Sequence, residues 1–201
     1  MENKIMKKCA VSLALSLTFI ASNGIAEESG LFIGVGTGYG QSEIKSNNTK
    51  TKLDGLSFET IVGYKSFLTP AFGMRYYINF AYSNAEQKND LKPKIIMNYG
   101  LNADMLYNVV ASESVNLGAF VGVGVGANTW AAKNNEDFKA KTGFNVALNA
   151  GLRSQFGKHH GIEIVARVPF IDTTLENDRI TGAKQTGSHI YNVGARYILS
   201  F

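Results

Sequence analysis

The chain has 201 residues, room for one domain and a targeting segment, with 45% hydrophobic residues and a formal net charge of +4. So small a cationic excess gives no argument for a nucleic-acid partner. A membrane-spanning helix needs about 18 or more uninterrupted apolar residues, and past the N-terminal segment no such run occurs.

The first element reads as a secretory signal. Met1 to Lys8 is basic, Cys9 to Ala21 is apolar, and Gly24-Ile25-Ala26 supplies the small residues a signal peptidase needs. Residues 1–26 are therefore expected to be removed, leaving a mature domain of 27–201. A lipid-modified cysteine would follow the apolar core, whereas Cys9 opens it, so lipidation is not expected. Losing three lysines and one glutamate lowers the charge from +4 to +2 and removes the single cysteine, which excludes disulfides and thiol chemistry.

From Leu31 onward, apolar residues recur at every second position, the period of a strand with one greasy and one polar side. Strand one, about 30–43, turns Leu31, Ile33, Val35 and Tyr39 outward. Strand two, about 55–65, presents Leu56, Phe58, Thr60, Val62 and Tyr64, and strand three presents Phe72, Met74, Tyr76, Ile78, Phe80 and Tyr82. Strand four, about 96–108, shows Met97, Tyr99, Leu101, Ala103, Met105 and Tyr107; strand five, about 115–130, shows Val115, Leu117, Val121, Val123 and Val125. Strand six follows with Phe144, Val146, Leu148, Ala150 and Leu152. Strand seven carries Ile162, Ile164, Ala166, Val168 and Phe170, and is expected to end or bulge at Pro169, which cannot donate to a ladder. The last strand shows Tyr191, Val193, Ala195, Tyr197, Leu199 and Phe201.

Runs of ten or more alternating residues match the length a tilted strand needs to cross a bilayer, beyond the usual soluble strand. Nothing in the chain offers a second layer to cover eight apolar faces, so lipid is the simplest cover. In lipid the sheet must close to leave no unpaired edge. The fold class expected is therefore all-β, an eight-stranded antiparallel transmembrane up-and-down β-barrel.

The connections near 66–71, 109–114 and 157–160 are short, and those near 45–54, 84–95, 131–141 and 172–187 are longer and polar. Barrels of this type have short periplasmic turns and long outer loops, which places both termini on the periplasmic side. Outward aromatics near the strand ends form the two girdles, with Tyr64, Phe72, Tyr107, Phe156 and Tyr197 below and Tyr39, Phe58, Tyr82 and Phe170 above. Tyr197, Leu199 and Phe201 close an alternating strand on a terminal aromatic, which resembles the signal read by the barrel-assembly machinery.

Several segments together resemble the outer membrane protein family of Helicobacter, the Hop and Hor proteins. They are Phe72-Gly73-Met74-Arg75-Tyr76-Tyr77, Tyr99 to Asn108, Gly122 to Trp130, Asn149-Ala150-Gly151-Leu152-Arg153 and His160-Gly161-Ile162-Glu163. That family includes adhesins and proteins described as porins. The adhesins carry a large extracellular domain between the first strand and the last seven; here that position holds only Lys45 to Asp54, so adhesion does not carry over.

An eight-stranded barrel is just wide enough for its own side chains to fill. The inward charges are Glu59, Lys65, Arg75, Asp104, Arg153, Glu163, Arg167 and Arg196, which must pair or be penalised. With Asn79, Asn102 and Asn149 they are expected to form a polar plug in a structural or surface-contact protein. The alternative is a small-solute channel leaning towards anions, since five of these charges are cations and three are anions. Strands one and five, on opposite walls, expose Gly34, Gly36, Gly38, Gly40 and Gly118, Gly122, Gly124, Gly126, which leave either a cleft or space for long arginines.

Enzymatic activity is not expected. Ser188 and His189 are adjacent on a strand, hence on opposite faces, with Asp172, Glu176 and Asp178 in the loop before them; His159 and His160 sit in a short turn. Neither cofactor nor metal is expected. The expected partners are outer-membrane lipid and lipopolysaccharide, the assembly machinery, and host or cell-surface contacts made by the loops. Loop lysines 45, 50, 52, 88, 92, 94, 133, 139 and 141 could meet lipopolysaccharide phosphates.

Overall fold

The computed structural model describes residues 27–46, 49–87, 90–132, 140–177 and 184–201. The expected signal, residues 1–26, lies outside them, as do Lys88, Lys133, Lys139 and Asp178.

Alternation becomes a wall of nine strand segments. They are β1 Gly30–Ser46, β2 Thr49–Phe67, β3 Phe72–Gln87, β4 Asp90–Ala111, β5 Val115–Ala132, β6 Lys141–Phe156, β7 His160–Pro169, β8 Thr173–Asn177 and β9 Lys184–Ser200. Each pairs antiparallel with its neighbour, and β9 pairs back onto β1 from Phe32↔Ser200 to Ser46↔Gln185, so the sheet closes. β7 and β8 occupy one position in the wall. β7 stops at Pro169, and β8 resumes along the same neighbour, pairing Thr173 with Gly187 and Asn177 with Lys184. The proline lacks the N–H its ladder needs; the next amide, Phe170 N, donates to Val146 O at 2.8 Å. The result is a closed eight-stranded antiparallel barrel.

Closure turns the period-two pattern into two surfaces. Leu31, Leu56, Phe58, Leu101, Phe144 and Leu152 are each about 60% exposed on the outer face. Such a continuous apolar belt is stable only against lipid. The ladder register shifts at four places among the described residues: β4 bulges between Asn108 and Val110, leaving Val109 and Val110 both outward, β9 bulges opposite Gln41/Ser42, and further shifts fall between Ala85 and Gln87 and between Thr174 and Glu176. Glu27 and Phe201 lie at the end of the barrel that carries the short connections 68–71, 112–114 and 157–159. The last of these turns on Gly157, whose φ of +56° suits glycine.

The strands are longer than the hydropathy pattern implied. Most of 45–54 and 84–95, expected as loops, is ladder: Ser46 pairs with Thr49, and Gln87 pairs with Asp90. The physical reason is that greasy-out alternation marks only the lipid-facing part of a strand. Backbone pairing continues beyond it, where the outer face turns polar at Lys45, Lys50 and Lys52.

Substituting Leu101, midway along β4 on the lipid face, by Arg should lower the unfolding free energy in phospholipid vesicles by about 2–4 kcal/mol. Urea titration followed by tryptophan fluorescence checks this.

Candidate functional site

The inward face is built in tiers from the terminal end to the loop end. At the terminal end Glu27, just ahead of β1, is 6% exposed. Arg153 on β6 grips its carboxylate with two nitrogens, Nη1 to Oε2 at 2.8 Å and Nη2 to Oε1 at 2.7 Å. Lys65 on β2 donates to Glu27 Oε1 at 2.6 Å and to Ser200 Oγ at 2.8 Å. Burial pushes the Glu27 carboxyl up, but Arg153 and Lys65 outweigh it and hold the group below the usual carboxylate range.

Next comes a charged centre on facing strands. Arg75 Nε donates to Asp104 Oδ2 at 2.9 Å, across the β3–β4 register pair Arg75↔Asp104. Arg75 Nη1 donates to Glu163 on β7, and the guanidinium lies 4.4 Å from the Phe120 ring centre and 5.2 Å from that of Tyr77. Arg196 on β9 donates to Glu59 Oε2 at 2.7 Å and approaches Glu163 Oε2 at 3.8 Å. Phe32, Ile61, Tyr77 and Ile198 pack together beside these pairs, as do Leu106, Phe120 and Val165. They lower the local dielectric and so sharpen both the attraction and the cost of any unpaired charge.

Asparagines carry the next tier. Asn149 and Arg167 both donate to Asn102 Oδ1, at 3.0 and 2.9 Å. Asn102 then donates to Asn79, Asn79 to Asn98, and Asn98 to Asn128, at 2.8, 2.8 and 2.7 Å. An amide donates and accepts at once, so neighbouring strands can be linked without net charge. At the loop end the inward residues turn apolar: Ile44, Leu53, Ala85, Ile96, Trp130 and Leu175 form one buried cluster.

The inward glycines make room for these side chains. A Cβ on Gly36 would lie 2.8 Å from Arg196 Cγ, one on Gly122 would lie 2.1 Å from Asp104 Oδ1, and one on Gly124 would lie 3.2 Å from Arg167 Nη2.

All eight charges read from the sequence face the interior. Seven are buried; Glu59 is partly open, its side chain 16% exposed. Sequence reasoning missed Glu27. Its only signal was the surplus of two cations, because it precedes the alternating pattern. Tyr197, Leu199 and Phe201 share the outer face of β9, where Tyr197 Oη meets His160 Nδ1 at 2.6 Å. Ser188 Oγ donates to Asp172, while His189 is buried on the opposite, inner face. Lys45 pairs with Asp172 at 3.1 Å, both exposed. Among the described residues, no group of three or more His, Cys, Asp or Glu side chains is arranged to hold a metal.

The family described as Helicobacter outer membrane protein matches residues 59–201. No curated protein matches the sequence. Among solved structures the chain is similar to Neisserial surface protein A, NspA, with a TM-score of 0.56 and 12% identity over 87% of this chain and 100% of that one. OprG of Pseudomonas aeruginosa gives 0.48 and 13% over 89% of this chain and 99% of that one. Ail of Yersinia pestis gives 0.40 and 17% over 83% and 97%. At 12% identity the likeness to NspA is one of fold.

Glu27→Gln leaves Arg153 and Lys65 sharing a neutral amide and should cost about 3 kcal/mol of stability at neutral pH. Because the folded carboxyl is held low, its contribution is complete above the unfolded value near 4.3 and is lost as pH falls through the folded value. Urea midpoints of the two proteins should therefore differ at pH 7 and converge in acid.

Proposed function

The chain belongs to the Helicobacter outer membrane protein family and is an integral outer-membrane β-barrel; from that premise we propose that its role is structural or surface-contact, with a lumen plugged by its own side chains. The observation that carries this reading is the sequence of tiers: paired charges, bridged asparagines, then an apolar cluster of Ile44, Leu53, Ala85, Ile96, Trp130 and Leu175 at the loop end. Apolar residues packed across a mouth give a hydrated ion nothing to replace its water. With the termini on the periplasmic side, that cluster underlies the surface loops. The ladders running out to Ser46/Thr49 and Gln87/Asp90 then act as stalks that carry that end of the barrel clear of the lipid. Contacts with lipopolysaccharide or a cell surface fall to the loops, and the assembly machinery reads Tyr197, Leu199 and Phe201.

Protein purified from outer membranes and inserted in planar bilayers should give no discrete current steps, although protease protection shows it inserted. Regular single-channel steps would overturn the plugged lumen and favour a small-solute channel.

A further inference from the structure

The interior charges balance with one exception. Lys65 and Arg153 share Glu27, Arg75 holds Asp104 and Glu163, and Arg196 holds Glu59. Among the described residues, Arg167 is the interior cation with no carboxylate within ion-pair distance. Its register partners on the two flanking strands are Asn149 on β6 and Asn192 on β9, both neutral. Arg167 is nevertheless only 7% exposed; its Nη1 donates to Asn102 and Asn149, and its buried Nε has no partner. A guanidinium does not lose its proton in a protein, so burial cannot neutralise it.

Beside it lies a cavity of about 30 Å³, lined by Ser57, Ser83, Asn98, Arg167, His189 and Asn192. That is room for about two waters or one halide-sized ion. Glu59 and Arg196 also border this cavity, but Arg196 already neutralises Glu59 at 2.7 Å. His189, on β9 and 9% exposed, has an unpartnered buried Nδ1, and Asn192 Nδ2 donates to Ser57 Oγ at 2.6 Å. The cavity thus holds a buried surplus positive charge beside an unpartnered guanidinium Nε, and lies beneath the apolar cluster of the loop end.

We propose that this cavity is a binding site for one small monovalent anion, held against Arg167 between β7 and β9. The ion supplies the charge that an aspartate at position 192 would otherwise provide. Binding of this kind is a property of the folded barrel and holds whether or not the lumen conducts.

The test uses the full barrel in detergent micelles, with chloride as the probe replacing gluconate at fixed ionic strength. The thermal midpoint of the wild type should rise by about 3 °C and saturate, as expected for a ligand that binds only the folded state. Asn192→Asp sets a carboxylate opposite Arg167, so its midpoint should be high already in gluconate and indifferent to chloride. Arg167→Gln removes the cation and must lose the chloride response as well, which keeps the test available if the first variant folds poorly. Lys158→Gln, an exposed change in the 157–159 turn, should respond like the wild type. A wild-type midpoint indifferent to chloride, or the same rise in Asn192→Asp or Arg167→Gln, would overturn the proposal.

Discussion

A sheet whose outer face meets lipid must close on itself, because hydrocarbon offers no partner to an unpaired amide or carbonyl. Closing it with eight strands leaves an interior about one side chain wide on each wall, too narrow to keep buried charges hydrated. The organisation of this barrel follows from those two facts. Arg75 must find Asp104 and Glu163, and Arg196 must find Glu59, because water cannot substitute for them. Strands one and five give up side chains as glycines because their neighbours take the volume: Arg196 at Gly36, Ile61 and Ile198 at Gly34, Asp104 at Gly122 and Asn102 at Gly124.

Pairing also explains the shape of the interior along its axis. The ion pairs gather towards the terminal end, where Glu27 enters from outside the wall and completes them. Above them the polar contacts pass to asparagines, which satisfy one another without charge. Higher still the side chains are apolar, so this barrel excludes solvent by different chemistry at its two ends. Arg167 sits where charge gives way to amide, with no carboxylate of its own.

Much of the wall was legible because lipid imposes a strict rule on every second residue. From Tyr76 to Phe80, or Val121 to Val125, the pattern admits one reading. It fails where the inner face is apolar too: Leu31-Phe32-Ile33 reads as an unbroken greasy run, yet Phe32 points inward to pack on Tyr77 and Ile198. It also fails above the lipid, where nothing demands alternation and strands such as β3 and β4 continue unmarked. The eight interior charges followed from parity, but their partners depended on barrel stagger, which a single sequence does not carry. Glu27 was hidden for a further reason, since it lies before the first strand and obeys no period.

The central claim is that buried charges here are held by one another. It is tested most directly by measuring unfolding free energies in vesicles for Arg75→Met, Asp104→Asn and the double variant. Arg75→Met leaves Asp104 and Glu163 without their shared cation and should cost about 3 kcal/mol or more; Asp104→Asn, which leaves Arg75 with Glu163 alone, should cost about 2 kcal/mol, and the double change should cost less than the sum by about 2 kcal/mol. Strict additivity, or single changes costing under about 1 kcal/mol, would mean that water already reaches these groups and would contradict the account.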